Sequence, residues 1–179
     1  HLLSLIDDIL DLSKIETGKL SVSPGPCSLR QEVNSAIALF QSRLATKNLE
    51  VRMEIHQDVP CHFQSDPTRL RQILINLIGN AIKFTESGSI SVRASSNGDT
   101  LLVDVVDTGI GVSPDEVSRI FDPFAQGNSA TNRKYGGTGL GLSLSQRLAD
   151  ALNGKLELHA SVPGEGSTFR LTLPLDAKP

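Results

Sequence analysis

A chain of 179 residues, 39% hydrophobic and 21% charged, can bury the core of one ordinary globular domain with a short appendage, and leaves no room for two large domains. Seventeen basic against 20 acidic residues give a net charge of −3 with no Lys/Arg run longer than two, which argues against nucleic acid as a partner. Apolar stretches such as ILINLIG stop well short of the roughly 18 residues a membrane helix needs, and no basic-then-apolar signal opens the chain, so these residues are expected to be soluble.

Residues 1–18, HLLSLIDDILDLSKIETG, place Leu2, Leu3, Leu5, Ile6, Ile9, Leu10, Leu12 and Ile15 at helical spacing, with Gly18 as the stop. A helix this short is marginal in water and its apolar face is broad. Residues 1–20 therefore read as a piece of a helical bundle completed by other segments, with packing on its own domain as the alternative. SVSPGPCS, residues 21–28, carries two prolines and a glycine and reads as a linker before a globular domain over 29–175. A helix is expected over 29–46, with Val33, Ile37, Phe40 and Leu44 on one face, followed by a strand in LEVRMEI. The next helix, over 66–84, starts with Asp66 as N-cap and Pro67 at the first helical position. GSISVRASS and TLLVDVVD, joined through NGD, read as a β-hairpin. A short helix over 114–119, a polar loop over 126–137, a helix over 139–152 and the strands KLELHA and STFRLTL complete the chain. Strands that follow one another directly favour a mixed or antiparallel sheet covered by helices on one face over a doubly wound parallel sheet.

Three stretches could carry chemistry. On the wheel of the 66–84 helix, Leu70, Ile73, Leu74, Leu77, Ile78 and Ala81 share one side while Asn76, Asn80 and Lys83 form a polar stripe along its edge with Arg69. An Asn carbonyl oxygen is a hard ligand compatible with Mg²⁺ and a lysine one turn on suits a phosphate, although the same stripe also suits a plain solvated face. In VDVVDTGIG a strand ends at Asp107 with Gly109 and Gly111 behind it. A carboxylate fixed there could accept from an exocyclic amine such as adenine N6, and glycines let a flat ring approach the backbone. A capped turn is the plain alternative, and an aspartic-protease reading fails because only one DTG is present where two carboxylates are needed. In KYGGTGLGLSLSQRLADAL, glycines 136, 137, 139 and 141 lead into an amphipathic helix whose amides suit phosphate oxygens. The stretch is neither a Walker A loop nor a dinucleotide fingerprint, and the long polar loop before it suggests a lid. Cys27, Cys61 and four scattered histidines show no metal or disulfide spacing.

Taken in order, NLIGNAIKFT, DTGIGV, FDPF, GGTGLGL and the later GEGS resemble the N, G1, F and G2 boxes and following glycine segment of sensor histidine kinases in the GHKL ATP-binding superfamily. LIDDILDLSKIETGKL is similar to the end of the second dimerisation helix, and FDPFAQ with YGGTGLGLS to hybrid kinases that carry a receiver domain. The resemblance implies a two-layer α/β sandwich, the Bergerat ATP-binding fold, with a mixed sheet covered by helices on one face and a short N-terminal helical stub. It implies that Asp107 holds adenine N6, beside Gly109 and Gly111. Asn80, with Asn76, would coordinate Mg²⁺ on the phosphates, and Lys83 would contact phosphate oxygens. The amides around Gly137, Thr138, Gly139, Leu140, Gly141 and Leu142 would wrap the polyphosphate. Phe124 enters through the F box, Gln126 as a lid residue at the γ-phosphate, and Thr168 through a water at the adenine.

Asn76 occupies the position where ATP-hydrolysing relatives such as gyrase, MutL and the heat-shock chaperone have glutamate, and an uncharged amide is a poor base for activating water. The implied function is transfer of the ATP γ-phosphate to a histidine, with Asn76 and Lys83 as the catalytic residues. The chain contains no motif like HE[LF]RTPL, so it is expected to bind ATP without its own phosphoacceptor. Implied partners are the phosphoacceptor helix of the same kinase, within a homodimer, and a receiver domain or response regulator. A nucleotide-responsive interaction module without transfer, or a serine-directed kinase of the superfamily, are the competing readings.

Overall fold

A computed structural model of the chain describes residues 2–125 and 137–175. In chain order the elements are α1 (Leu2–Glu16), β1 (Gly25–Cys27), α2 (Leu29–Ala38), α3 (Gln41–Lys47), β2 (Glu50–Ile55), β3 (Phe63–Ser65) and α4 (Pro67–Phe84). β4 (Ser89–Asn97), β5 (Thr100–Asp107), α5 (Pro114–Val117), α6 (Gly141–Ala151), β6 (Lys155–Val162) and β7 (Gly166–Pro174) follow. Five strands form one sheet in the order β2-β4-β5-β7-β6, with β2 parallel to β4 and the other neighbours antiparallel. The mixed sheet expected from the order of elements is therefore present, and one of its faces packs against α4 and α6.

Strand alternation explains which face. Asp107 of β5 and Ser167 of β7 are buried on the same face as Leu101, Val103 and Val105 of β5 and Leu171 and Leu173 of β7, and these apolar side chains share one core with Leu70, Ile73, Leu74, Leu77 and Ile78 of α4. Burying each apolar side chain stabilises by about 1.5–3 kcal/mol before entropy is counted. The opposite face carries a row of charges. Glu54, Arg93, Asp104, Arg170 and Glu157 stand in register across all five strands, a row of alternating charge in which Arg170 Nε and Nη2 each reach Asp104 at 2.7 Å and Arg93 reaches Glu54 at 3.3 Å.

The helix expected over 29–46 is two helices. Leu39 and Phe40 break it, with Phe40 at φ −109° and ψ 4°, a turn conformation that lets α3 leave the line of α2. Part of the expected linker is a strand, since Gly25–Cys27 pairs antiparallel with Phe63–Ser65 and buries Cys27. Pro26 is tolerated because this is a two-stranded sheet, in which one side of each strand has no partner. α1 docks only in part. Asp11 accepts from Arg69 at 3.1 Å and Gln72 at 3.0 Å, while Ile6, Ile9 and Leu10 are about half exposed. No helix among the described residues is long and apolar enough to cross a membrane.

Candidate functional site

Helix α4 supplies the first wall. Asp66 caps it, its carboxylate accepting from Thr68 N at 2.9 Å and Arg69 N at 3.1 Å, and its other oxygen takes Ser23 N at 2.9 Å. At the far end of the helix Asn80, Ala81 and Phe84 face a cleft. Asn76, one turn before Asn80, lies between α4 and α6, where its Nδ2 donates to Ser145 Oγ at 2.8 Å and its Oδ1 faces the backbone of Gly141. A β-carbon on residue 141 would overlap that oxygen, so a glycine here lets α6 start against α4. Lys83 is half-buried, its Nζ 4.7 Å from the Phe84 ring centroid, and desolvation pulls its ammonium below the ordinary lysine value. Arg69 does not continue the stripe towards the site, being engaged with Asp11 and Gln72 instead.

The floor is the end of β5. Asp107 is 7% exposed and lines the cleft. Burial pushes its carboxyl above the ordinary value, and the N–H groups of Gly109 (2.9 Å) and Ser167 pull it part of the way back. A buried carboxylate with apolar walls is suited to a neutral amine donor. Ile110, Gly111 and Val112 carry the wall onward, and the N–H of Ile110 bonds the Phe84 carbonyl at 3.2 Å, joining floor to helix.

The third side is the glycine segment. Gly139 has φ +70° and a β-carbon there would meet the Ala125 carbonyl oxygen at 2.6 Å, so residue 139 has both a conformational and a steric need for glycine. Its own carbonyl accepts from Phe124 N at 3.0 Å, tying the FDPF turn to the glycines. Leu140 is a buried anchor whose N–H meets Thr138 Oγ1 at 3.2 Å, and Leu142 lines the cleft. α6 has no acidic residue in its first turn, which leaves its N-terminal amides and positive dipole end suited to an anion. Gly137 approaches Lys83 so closely that a β-carbon would lie 2.6 Å from Nζ.

Two expected positions stand away from the cleft wall. Thr168 pairs with Val106 on the open face of the sheet, while Ser167 and Phe169 line the cleft, because successive β7 side chains alternate. Phe124 is 67% exposed and absent from the cleft wall, which Ala125 forms instead. Its φ of +63° turns the chain there and brings its backbone to Gly139. Gln126 and Gly136, with the expected lid, lie outside the described residues. Sequence reasoning missed Phe84, Val112, Glu116, Arg119, Ile120, Ser167 and Phe169. Period-two alternation in STFRLTL would have placed Ser167 and Phe169 with Leu171 and Leu173; Glu116 and Arg119 carry no comparable signal. Phe169 also meets Phe121 edge to face, with centroids 6.4 Å apart, so the cleft wall is braced from behind the FDPF turn.

The Asn80 carboxamide at the cleft offers a hard oxygen donor, while the Asn76 oxygen one turn back faces the Gly141 backbone. Among the described residues no group of three or more His, Cys, Asp or Glu could hold a metal ion. One amide oxygen at the cleft would suit a magnesium ion that keeps most of its shell as water and phosphate oxygens.

The pattern of the histidine kinase-, DNA gyrase B- and HSP90-like ATPases matches residues 65–177. The chain is 42% identical to the signal transduction histidine-protein kinase BarA of Escherichia coli strain K12, over 100% of this chain and 20% of that protein. It is also 42% identical to the sensor protein GacS of Pseudomonas syringae pv. syringae, over 98% of this chain and 20% of that one. It thus spans about a fifth of the length of these curated relatives. Among solved structures, full-length ShkA in complex with AMPPNP matches with a TM-score of 0.85 at 34% identity, covering 97% of this chain and 36% of that one. Since the family pattern takes in α4, the Asp107 strand and the glycine segment together, the chain belongs to the histidine kinase-, DNA gyrase B- and HSP90-like ATPase family.

Proposed function

We propose that this chain is the ATP-binding catalytic domain of a sensor histidine kinase and that it delivers the γ-phosphate of ATP to a histidine on a dimerisation helix. The observation that carries the reading is that the buried Asp107 carboxylate, Asn80 and Leu142 of α6 line one cleft, with Lys83 close against Gly137 of the glycine segment. Asp107 accepts from the adenine amine while Ile110, Phe84 and Phe169 cover the ring. Lys83 and the amides at Gly139, Gly141 and Leu142 hold the phosphates. Asn80, with Asn76, would hold a magnesium ion, which would supply charge neutralisation at the phosphates.

Asn76 donates to Ser145 and has no carboxylate with which to take a proton from water. Transfer therefore favours a nucleophile that needs no strong base. A neutral imidazole nitrogen attacks phosphorus, the bond from phosphorus to the bridging oxygen breaks, and ADP leaves. The acceptor helix belongs to the same kinase, within a homodimer located in the cytoplasm, and a receiver domain or response regulator takes the phosphate onward. The similarity to a signal transduction histidine-protein kinase and a sensor protein over nearly the whole chain supports these partners.

The test uses γ-labelled ATP and magnesium with this chain, mixed with a segment that bears the acceptor helix. Label is expected on the acceptor histidine, with little free phosphate. Tight nucleotide binding without label on any such segment sinks the transfer reading.

A further inference from the structure

A helix ends with four carbonyls that lack partners in its interior. At the end of α4 all of them are accounted for. The Ala81 oxygen accepts the Thr85 N–H at 3.1 Å and the Phe84 oxygen accepts the Ile110 N–H at 3.2 Å. The two between them, Ile82 and Lys83, are both taken by one side chain. Lys47 Nζ donates to the oxygens of Ile82 at 2.8 Å, Lys83 at 3.1 Å and Thr85 at 2.9 Å.

Lys47 is the last residue of α3, half-buried, and the chain turns away from it at Asn48, which is left-handed at φ 51° and ψ 43°. An ammonium has three donors, and here three carbonyls receive them. A cation also meets the negative end of the α4 dipole at this point. The turn that carries Lys83 and Phe84 is consequently held from two sides, by α3 through Lys47 and by the loop after Asp107 through Ile110. Asn80 lies one turn back, inside the regular helix, and does not depend on the clamp.

We propose that Lys47 is a positioning residue for the nucleotide site, its ammonium holding the last turn of α4 so that the Lys83 side chain is aimed at phosphate oxygens. The proposal rests on the nucleotide reading above. Without the clamp the carbonyls of Ile82, Lys83 and Thr85 turn to water and Lys83 loses its fixed direction, while Phe84 stays tied to Ile110 and the Asp107 end of the cleft keeps its own hydrogen bonds. The phosphate end should suffer more than the base end.

Calorimetric affinities for Mg-ATP and for adenosine, measured on the whole chain, test this with Lys47→Met, Lys83→Met, the double variant and Lys47→Arg. Lys47→Met should weaken Mg-ATP on the order of tenfold and adenosine far less. The double variant should bind within about twofold of Lys83→Met alone, because the clamp acts through that lysine. Lys47→Arg, which keeps charge and donors, should recover part of the loss. If circular dichroism shows Lys47→Met unfolded, Lys47→Gln takes its place in the same cycle. Unchanged Mg-ATP binding, equal losses for ATP and adenosine, or additive losses in the double variant would each overturn the proposal. A wild-type chain that binds no ATP overturns the nucleotide reading and this one with it, whereas wild-type binding indifferent to residue 47 overturns this one alone.

Discussion

Asp107 and Lys83 are both held at a cost to the empty protein. Burial raises the Asp107 carboxyl, so the folded chain binds its proton more readily than the unfolded chain does. The stability this group contributes is complete below the unfolded carboxyl value and is lost as pH rises through the folded one. Asp107→Asn removes the desolvated charge and should raise the melting temperature of the nucleotide-free chain at neutral pH. That gain should shrink as pH falls through the carboxylate range, and a melting series against pH reads it. The same variant should weaken ATP by about tenfold or more, because it replaces an acceptor with a group that also donates. For Lys83, desolvation lowers the folded value, so its contribution is present at high pH and is lost as pH falls through that value. Lys83→Met should therefore hold or raise stability at neutral pH while losing affinity for ATP far more than for adenosine. The chemical types at these positions were legible in the sequence because Asn76, Asn80 and Lys83 break an apolar pattern. The neighbour of Thr168 was not, since a one-residue choice of strand face depends on which side α4 and α6 cover.

At the scale of elements, α4 is fully described by its own residues at one end and by others at the other. Asp66 and Pro67 announce its start, and the cap is present with three backbone donors on one carboxylate. Asp66→Ala should cost about 1–2 kcal/mol, read by chemical denaturation, since it also strips a partner from Ser23. The end of the helix depends on Lys47 and Ile110, contacts of long sequence separation that no local pattern encodes. The break between α2 and α3 was equally hidden, because Val33, Ile37, Phe40 and Leu44 keep helical spacing across it. β3 has three residues, too few for a period to show. α1 is joined to α4 through Asp11, which is mostly buried, as is Arg69. Asp11→Ala should speed amide exchange across α1 at a cost of about 1–2 kcal/mol and leave nucleotide affinity unchanged. Slow exchange in the variant would mean that Leu12 and Ile15 hold the helix without it.

On the scale of the whole molecule the sheet divides two kinds of surface. The helical side holds the core and the cleft, and the open side holds the row from Glu54 to Glu157. Arg170→Met breaks the two-pronged pair with Asp104 and should cost about 1 kcal/mol, seen as a lower melting temperature with ATP affinity preserved. The mixed topology was legible because consecutive strands lacked helices between them, but the charge row was not, since it needs the register of all five strands at once. The row also decides how the molecule can be handled. Its charges are answered by neighbours on the same face, so a linker, dye or solid support attached at its rim, on Arg52 of β2 or Glu50 beside it, meets a self-contained surface. A chain anchored that way would present its cleft outward, with the sheet as a spacer between attachment and chemistry.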